Sequence, residues 1–557
     1  MSQTYLVSGQ KIEEKGYSGI TYIDALLNQG LEGEGSNIPI KWLSDPFISQ
    51  QSPSGKTVIT YSFPSGGTNG VPFSYQDDVG DIAPIGFNST QKEDIRAAFD
   101  VIEKYVNIDF IEITEEGDKV GTIRLAINTI TDEQGNYLPG IAATADPIYS
   151  APRGGDIWFN KWFVNADFSD GLVPMWDGST VAGSQTHIGD VTILYHEIFH
   201  ALGVEHPGDN LEKPFPEELN HREYSVMAGE FSSDDASTHI IDYKQFAVAS
   251  TPMAYDIATL QYLYGANYDH NKGNTLYSFD FETPEIKSIW DGDGVDTLNF
   301  ENFPLGNTIR LEGGSYSSIP FNGWSMENNI SIAFGVTIEN IISGAGDDSI
   351  TGNSSNNKIT GGVGSDEIDG GDGIDTAVYS VNFNEAVLSK ESKPSPDADG
   401  SAVNWTVTVA SDKDSLSNIE RLQFSDTHIA LDISGNAGKV VKLLGALLGK
   451  NAASNKDYIG EGIKILDSGT SYEQLMGLAV NYVFGAEPEA ANLIGSIYEN
   501  LVGSEAPQSI IDEYSAALNS GALSPEGLAM AASEHEFNAA NIDLIGLSSS
   551  GLEFTLG

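Results

Sequence analysis

The spacing of apolar residues changes along the chain, and each change predicts a different architecture. From residue 56 it is that of an α/β domain. "KTVITYSF" (56–63) alternates apolar and polar positions and predicts a strand. "STQKEDIRAAFDVIEKYVN" (89–107) sets Ile95, Phe99, Ile102 and Val106 on one helical face, with Thr90 and Glu93 as the expected capping box. "IDFIEIT" (108–114), "TIRLAI" (122–127) and "GDIWFN" (155–160) predict further strands. A second helix is expected over 185–202, stopped by Gly203, and a third over 253–263. This domain is placed at 51–270. Residues 1–50, with turn-formers such as "GLEGEGSN", read as a lead-in or pro-segment.

The texture then shifts to Gly, Asp and Asn with short apolar beats, at a nine-residue period. The units are "SGAGDDSIT" (343–351), "GNSSNNKIT" (352–360), "GGVGSDEID" (361–369) and "GGDGIDTAV" (370–378), with an outlying "DGDGVDTLN" (291–299). Each fits G-G-x-G-x-D-x-U-x: glycines permit tight turns, and the apolar U points inward. U is Ile350, Ile359, Ile368 and Ala377. Stacked turns would form oxygen cages for several Ca²⁺ ions from Asp296, Asp348, Asp366 and Asp375 and from the turns at Gly292, Gly294, Gly344, Gly346, Gly361, Gly362, Gly364, Gly371 and Gly373. The second unit is degraded: Asn357 replaces its aspartate, and Asn353 and Ser355 replace glycines, so its site should be weak or absent. A parallel β-roll that needs calcium to fold is predicted over 271–435, with short strands such as "NWTVTVA" (404–410) at its end. Residues 436–557 are Ala/Leu-rich and predict a helical domain. The fold class is multidomain: α/β, then all-β roll, then α-helical.

Composition narrows the chemistry. Acids outnumber bases 80 to 27, a formal charge of −53, so nucleic acid and anionic membranes are excluded as partners and cations are favoured. There is no cysteine, which removes disulfides, thiol catalysis and cysteine-ligated zinc. No apolar run approaches the length of a membrane span, and the N-terminus lacks the pattern of a cleaved signal peptide.

Three of the nine histidines lie in "YHEIFHALGVEHPGD" (195–209). On a helix, His196 and His200 share a face and can grip one metal ion, with Glu197 beside it to take a proton from water. A continuing helix would carry His206 away. Gly203 lets the chain turn back, and Pro207 discourages helix from resuming. Three imidazoles that leave a position open for water suit zinc, although copper, cobalt or nickel can also occupy such a set.

"HEIFHALGVEHP" resembles the metzincin motif H-E-x-x-H-x-x-G-x-x-H, and in detail the serralysin group of secreted bacterial proteases. "YSVMAG" (224–229) is similar to that family's Met-turn, which implies Met227 as an apolar floor under the metal. "DIATLQYLYGAN" (256–267), "SIWDGDGVDTLNF" (288–300) and "SIAFGVTIENIISGAGDD" (331–348) resemble serralysin segments in the same order. The resemblance covers roughly 20–380 and departs from the family at two positions. Gly229 stands where the family carries a tyrosine that can join the zinc, leaving Tyr224 or Tyr243 as substitutes, and Phe199 stands where it has glycine. The resemblance implies a zinc endopeptidase with His196, His200 and His206 as ligands and Glu197 as base. It also implies a peptide held along "IAATAD" (141–146), a β-roll after the protease domain, and ABC-type export without a cleaved N-terminal signal.

The expected function is therefore a secreted, calcium-dependent, monomeric zinc endopeptidase. The alternative is a calcium-folded extracellular binding or surface-layer protein whose protease domain has decayed. A third reading, a metal-scavenging or ice-binding module, rests only on acidity and repeats. "SIIDEYSAALNSGALSPEGLAMAASEHEFN" (509–538) resembles a helical domain that follows such repeats in secreted bacterial proteins; it names no chemistry, and His535 reads as structural.

Overall fold

The computed structural model describes residues 12–15, 17–27, 40–43, 55–64, 86–115, 120–130, 138, 141–146, 148, 154–160, 172–174, 180–182, 191–207, 215–228, 240–242, 245–246, 249–391 and 404–556. They fall into two compact units, Met1–Asp296 with Leu311–Ile338, and Thr297–Arg310 with Glu339–Gly557.

In the first unit the alternating stretches form one sheet. Its strands are β1 (Thr57–Ser62), β2 (Ile108–Glu112), β3 (Ile123–Asn128), β4 (Ala143–Ala145) and β5 (Ile157–Asn160), in the order β2-β1-β3-β5-β4. The first four in that order are parallel, and β4 runs antiparallel to β5 at one edge. Parallel central strands must be covered on both faces, and Val58, Ile59, Leu125, Ala126 and Phe159 are all buried. The helices are α1 (Thr21–Ala25), α2 (Ser89–Tyr105), α3 (Val191–Ala201) and α4 (Ala254–Tyr264). The expected start of α3 at 185–190 lies outside the described residues.

One sequence expectation is corrected here. The capping box of α2 is Asn88 with Gln91, not Thr90 with Glu93: Asn88 Oδ1 accepts the Gln91 N–H at 2.9 Å, and Gln91 Oε1 accepts the Asn88 N–H at 3.0 Å. Asparagine caps at least as well as threonine, so the cap lies two residues earlier. The described residues of 1–50 belong to the first unit, where Leu26, Leu27 and Trp42 are fully buried. Their burial partners are distant in sequence, so no local period marks them.

The two compact units divide the chain as follows. The first unit extends to Asp296 and takes in Leu311–Ile338, because Lys287–Ile289 pairs in parallel with Ile330–Ile332, which pairs in turn with Tyr316–Ser317. The repeats and the helical region share the second unit, and Leu552–Phe554 returns to pair antiparallel with His428–Ala430.

Within the second unit the chain alternates between two stacks of parallel strands. One holds Thr297–Asn299, Asn340–Ile342, Lys358–Thr360, Thr376–Val378 and Arg421–Gln423. The other holds Thr308–Arg310, Ser349–Asn353, Glu367–Gly371 and Asp412–Ser417. The register lines up Leu298, Ile341, Ile359, Ala377 and Leu422 in one column and Ile309, Ile350, Ile368 and Leu416 in the other. Every one of these is at most 1% exposed, so the U positions are the interior.

The helical region comprises α5 (Asn436–Leu448), α6 (Lys456–Asp467), α7 (Tyr472–Phe484), α8 (Ala490–Val502), α9 (Gln508–Asn519), α10 (Pro525–Ser533), α11 (Glu536–Asn541) and α12 (Leu544–Ser550). α5 is central and buries Val440, Val441, Leu443 and Leu447 against α6, α8 and α10. His535 caps α11, its Nδ1 accepting the Phe537 N–H, which is a structural role. Among the described residues, no helix is long and apolar enough to cross a membrane.

Candidate metal centre

His196 and His200 project from one face of α3, and the turn after it returns His206 to them. At the turn, Val204 N–H donates to Phe199 O and Gly203 N–H to His200 O. Gly203 has φ 96°, the left-handed region that a side chain disfavours. Residues distant in sequence on both sides brace the turn. Glu205 N–H donates to Leu26 O at 2.9 Å, Trp42 Nε1–H donates to Ala201 O at 2.8 Å, and the Tyr264 hydroxyl donates to Leu202 O at 2.8 Å. Gly203→Val should therefore displace His206 and weaken zinc binding at least tenfold, measured by competition with a coloured chelator.

The three Nε2 atoms converge: His196 to His206 is 3.1 Å, His200 to His206 3.1 Å and His196 to His200 3.2 Å. His196 Nδ1–H donates to Val226 O and His200 Nδ1–H to Val204 O, each at 2.9 Å. These bonds fix the tautomer that leaves Nε2 bare and facing the others. Burial pushes His196 down to about 4 and His200 well below its ordinary value, so both are neutral near pH 7. Bare nitrogens this close repel unless a cation lies between them. The donor set fits a metal ion, and the three ligand atoms lie close enough together to share one.

Glu197 is 6% exposed, and its Oε2 is buried without a hydrogen-bond partner. Burial pushes its carboxyl up to about 8. A cation among the imidazoles would act in the opposite sense and favour the carboxylate.

Sequence reasoning missed Asp256. Its Oδ1 accepts the Ser225 hydroxyl at 2.6 Å, and its Oδ2 accepts the N–H groups of Val226 and Met253, each at 2.9 Å. It thus holds the segment whose Val226 carbonyl orients His196. An acid at the third position of α4 reads in sequence only as a helix-start preference. Asp256→Asn turns an NH₂ towards donors, and should cost about 1–3 kcal/mol in urea unfolding.

Met227 is fully buried in the same segment. Phe199 is also fully buried, its ring stacked with Tyr195 in the core. The Tyr224 hydroxyl accepts the Asn328 amide at 3.2 Å. Gly229 and Tyr243 lie outside the described residues. Strand β4, within the expected substrate edge, is the sheet's last strand, and α3 lies against it.

The repeat residues divide into rows. Asp348 and Asp366 occupy equivalent register in one strand stack, Asn357 and Asp375 in the other. Asp348, Asp366 and Asp375 are at most 2% exposed, and each keeps an Oδ2 without a hydrogen-bond partner. A Cβ on Gly362 or Gly364 would collide with the carbonyl of Gly344 or Gly346, so these positions require glycine. Asp296 belongs to the first unit, where its Oδ1 accepts the Thr275 N–H at 2.7 Å; Gly292 packs there against the Tyr268 and His270 carbonyls, and Gly294 against Gly273.

Two helix-borne histidines flanking a glutamate, a glycine turn to a third histidine, and a buried methionine beyond are the features of a metzincin. Residues 254–444 match the family model described as peptidase M10 serralysin C terminal. The chain is 30% identical over 318 residues to "Serralysin" of Proteus mirabilis, covering 53% of this chain and 59% of that protein. It is 31% identical over 318 residues to "Metallopeptidase AprA" of Pseudomonas marginalis (54% and 60%), and 32% identical over 289 residues to "Metalloprotease AprA" of Pseudomonas entomophila strain L48 (48% and 54%). The chain spans less than two thirds of the length of these relatives. Together the matches support a serralysin-type metzincin, a family that implies zinc.

Proposed function

We propose that the protein is a secreted, calcium-dependent zinc endopeptidase. The observation that carries this reading is the convergence of three imidazole Nε2 atoms beside a buried glutamate whose Oε2 has no hydrogen-bond partner. His196, His200 and His206 would hold the zinc ion, which supplies Lewis acidity towards a peptide carbonyl and makes water a better nucleophile at neutral pH. Glu197 accepts the proton of the attacking water and passes it to the leaving amine. Met227 forms the floor of the site. An extended peptide pairs with β4, whose outer edge is the side away from β5. The buried position of Phe199 supports a repacked core rather than a narrowed cleft.

The glycine–aspartate repeats form a calcium-binding β-roll. In support, Asp348, Asp366 and Asp375 each bury an Oδ2 without a partner, Asp348 and Asp366 at equivalent strand register, and hard oxygen donors of this kind suit Ca²⁺. Cytosolic calcium is too scarce to fill such sites, which fits folding after ABC-type export to the extracellular medium.

The test is cleavage of casein. Activity should be abolished by a zinc chelator and restored by added zinc. Zinc-loaded, calcium-folded protein that cleaves no protein substrate would overturn the proposal in favour of a binding role.

A further inference from the structure

We infer that the cation-binding rows continue one step past the nonapeptide repeats, closed by Asp414 and Glu420, and that the step at Glu420 fastens the helical region to the repeats. The inference rests on the reading of the repeats as calcium sites.

Neither residue carries the glycine template. Asp414 lies in "SDKDSLS" and Glu420 in "NIERL", beyond the hairpin of Ala386–Glu391 with Asn404–Val409. Strand register nevertheless places them in the rows. Glu367 pairs with Ser415, so Asp414 is the counterpart of Asp366; Thr376 pairs with Arg421, so Glu420 is the counterpart of Asp375.

The hydrogen bonds repeat as well. Along one row each backbone N–H donates to the carboxylate of the next turn: Asn307 to Asp348 (2.6 Å), Asp348 to Asp366 (3.0 Å) and Asp366 to Asp414 (3.1 Å). Along the other, Asn357 donates to Asp375 (2.7 Å) and Asp375 to Glu420 (2.9 Å). The two steps between repeats span 18 residues, whereas the opening step spans 41 and the closing steps 48 and 45, so no period reveals them. In each case one carboxylate oxygen is spent on the backbone. On Asp366 and Asp375, which are 2% and 0% exposed, the other oxygen is buried without a partner. An unpartnered buried oxygen beside a second carboxylate calls for a hard cation, and calcium is the class it suits.

The step at Glu420 has a mechanical consequence. The next residue, Arg421, is 5% exposed and lies between the roll and two helices. Its Nη1 donates to Asp432 Oδ1 at 2.5 Å, and its Nη2 to Asp467 Oδ2 at 2.9 Å. Asp432 Oδ2 accepts the Asn436 N–H at the start of α5, and Asp467 ends α6 and accepts the Asn436 amide. A cation that fixes Glu420 therefore fixes Arg421, and with it both helices.

The experiment uses the full chain, with calcium as the probe. Binding is followed by calorimetry, and backbone order by hydrogen exchange. Glu420→Gln and Asp414→Asn should each weaken one calcium site at least tenfold and leave the others unchanged. At limiting calcium, Glu420→Gln should speed exchange in α5 and α6 at least tenfold, whereas Asp414→Asn should not. Arg421→Gln should loosen the helices with calcium binding intact. A Glu420→Gln isotherm identical to that of the unaltered chain overturns the inference alone. Loss of protection across Asn340–Thr360 at saturating calcium in both carboxylate variants also overturns it, by assigning the residues to folding rather than binding. If the unaltered chain binds no calcium, the underlying reading of the repeats fails as well.

Discussion

Glu197→Gln is expected to lower kcat on casein by about 10²- to 10⁴-fold while leaving one zinc ion per chain. Glutamine keeps the size of the side chain, but cannot accept a proton from water. The imidazoles are oriented by the Val226 and Val204 carbonyls and not by Glu197, so the metal should stay. Among the described residues, the Tyr224 hydroxyl, a candidate to assist, is engaged with Asn328. Zinc content and casein turnover, measured on the same preparation, check the expectation. Undiminished cleavage by the zinc-loaded variant would remove Glu197 from the mechanism.

The second large effect is the loss of calcium. Burial, together with neighbouring carboxylates, pushes Asp366 up to about 7 and Asp375 to about 8. A carboxyl raised in the folded state favours folding most when protonated. Its contribution is therefore full below the unfolded value of about 4 and is lost as pH rises through the folded value. The calcium-free chain should thus be more stable at pH 5 than at pH 8. Calcium should stabilise the second unit most at pH 8, by roughly 10 °C or more in Tm at millimolar concentration. Monovalent salt screens exposed charges but cannot satisfy the buried oxygens, so it should not substitute. Calorimetric scans at both pH values with calcium, chelator or potassium chloride test this; a calcium shift no larger at pH 8 than at pH 5 would count against the carboxylates as ligands.

What was legible in the sequence was local. His196, Glu197, His200, Gly203 and His206 lie within eleven residues, and helix geometry plus one left-handed glycine is enough to assemble them. The U positions were legible because a strict period forces them into one column. What stayed hidden depends on partners distant in sequence. Asp256 acts on Val226, thirty residues earlier, and Trp42 acts on Ala201, 159 residues later. Leu26 and Leu27 are fully buried, but their burial carries no sequence period. Asp414 and Glu420 were hidden by the hairpin that interrupts the repeat. Phe199 is a different case: its departure from the family pattern was visible, but only the packing against Tyr195 shows where its bulk goes.

The central claim, that three histidines form one zinc site, is tested most directly by metal analysis of His206→Ala beside the unaltered chain, both dialysed against nanomolar zinc. The account predicts one zinc per chain in the unaltered protein and at most about a tenth of that in the variant, with the fold retained by circular dichroism. Equal zinc in both, or none in either, would contradict it.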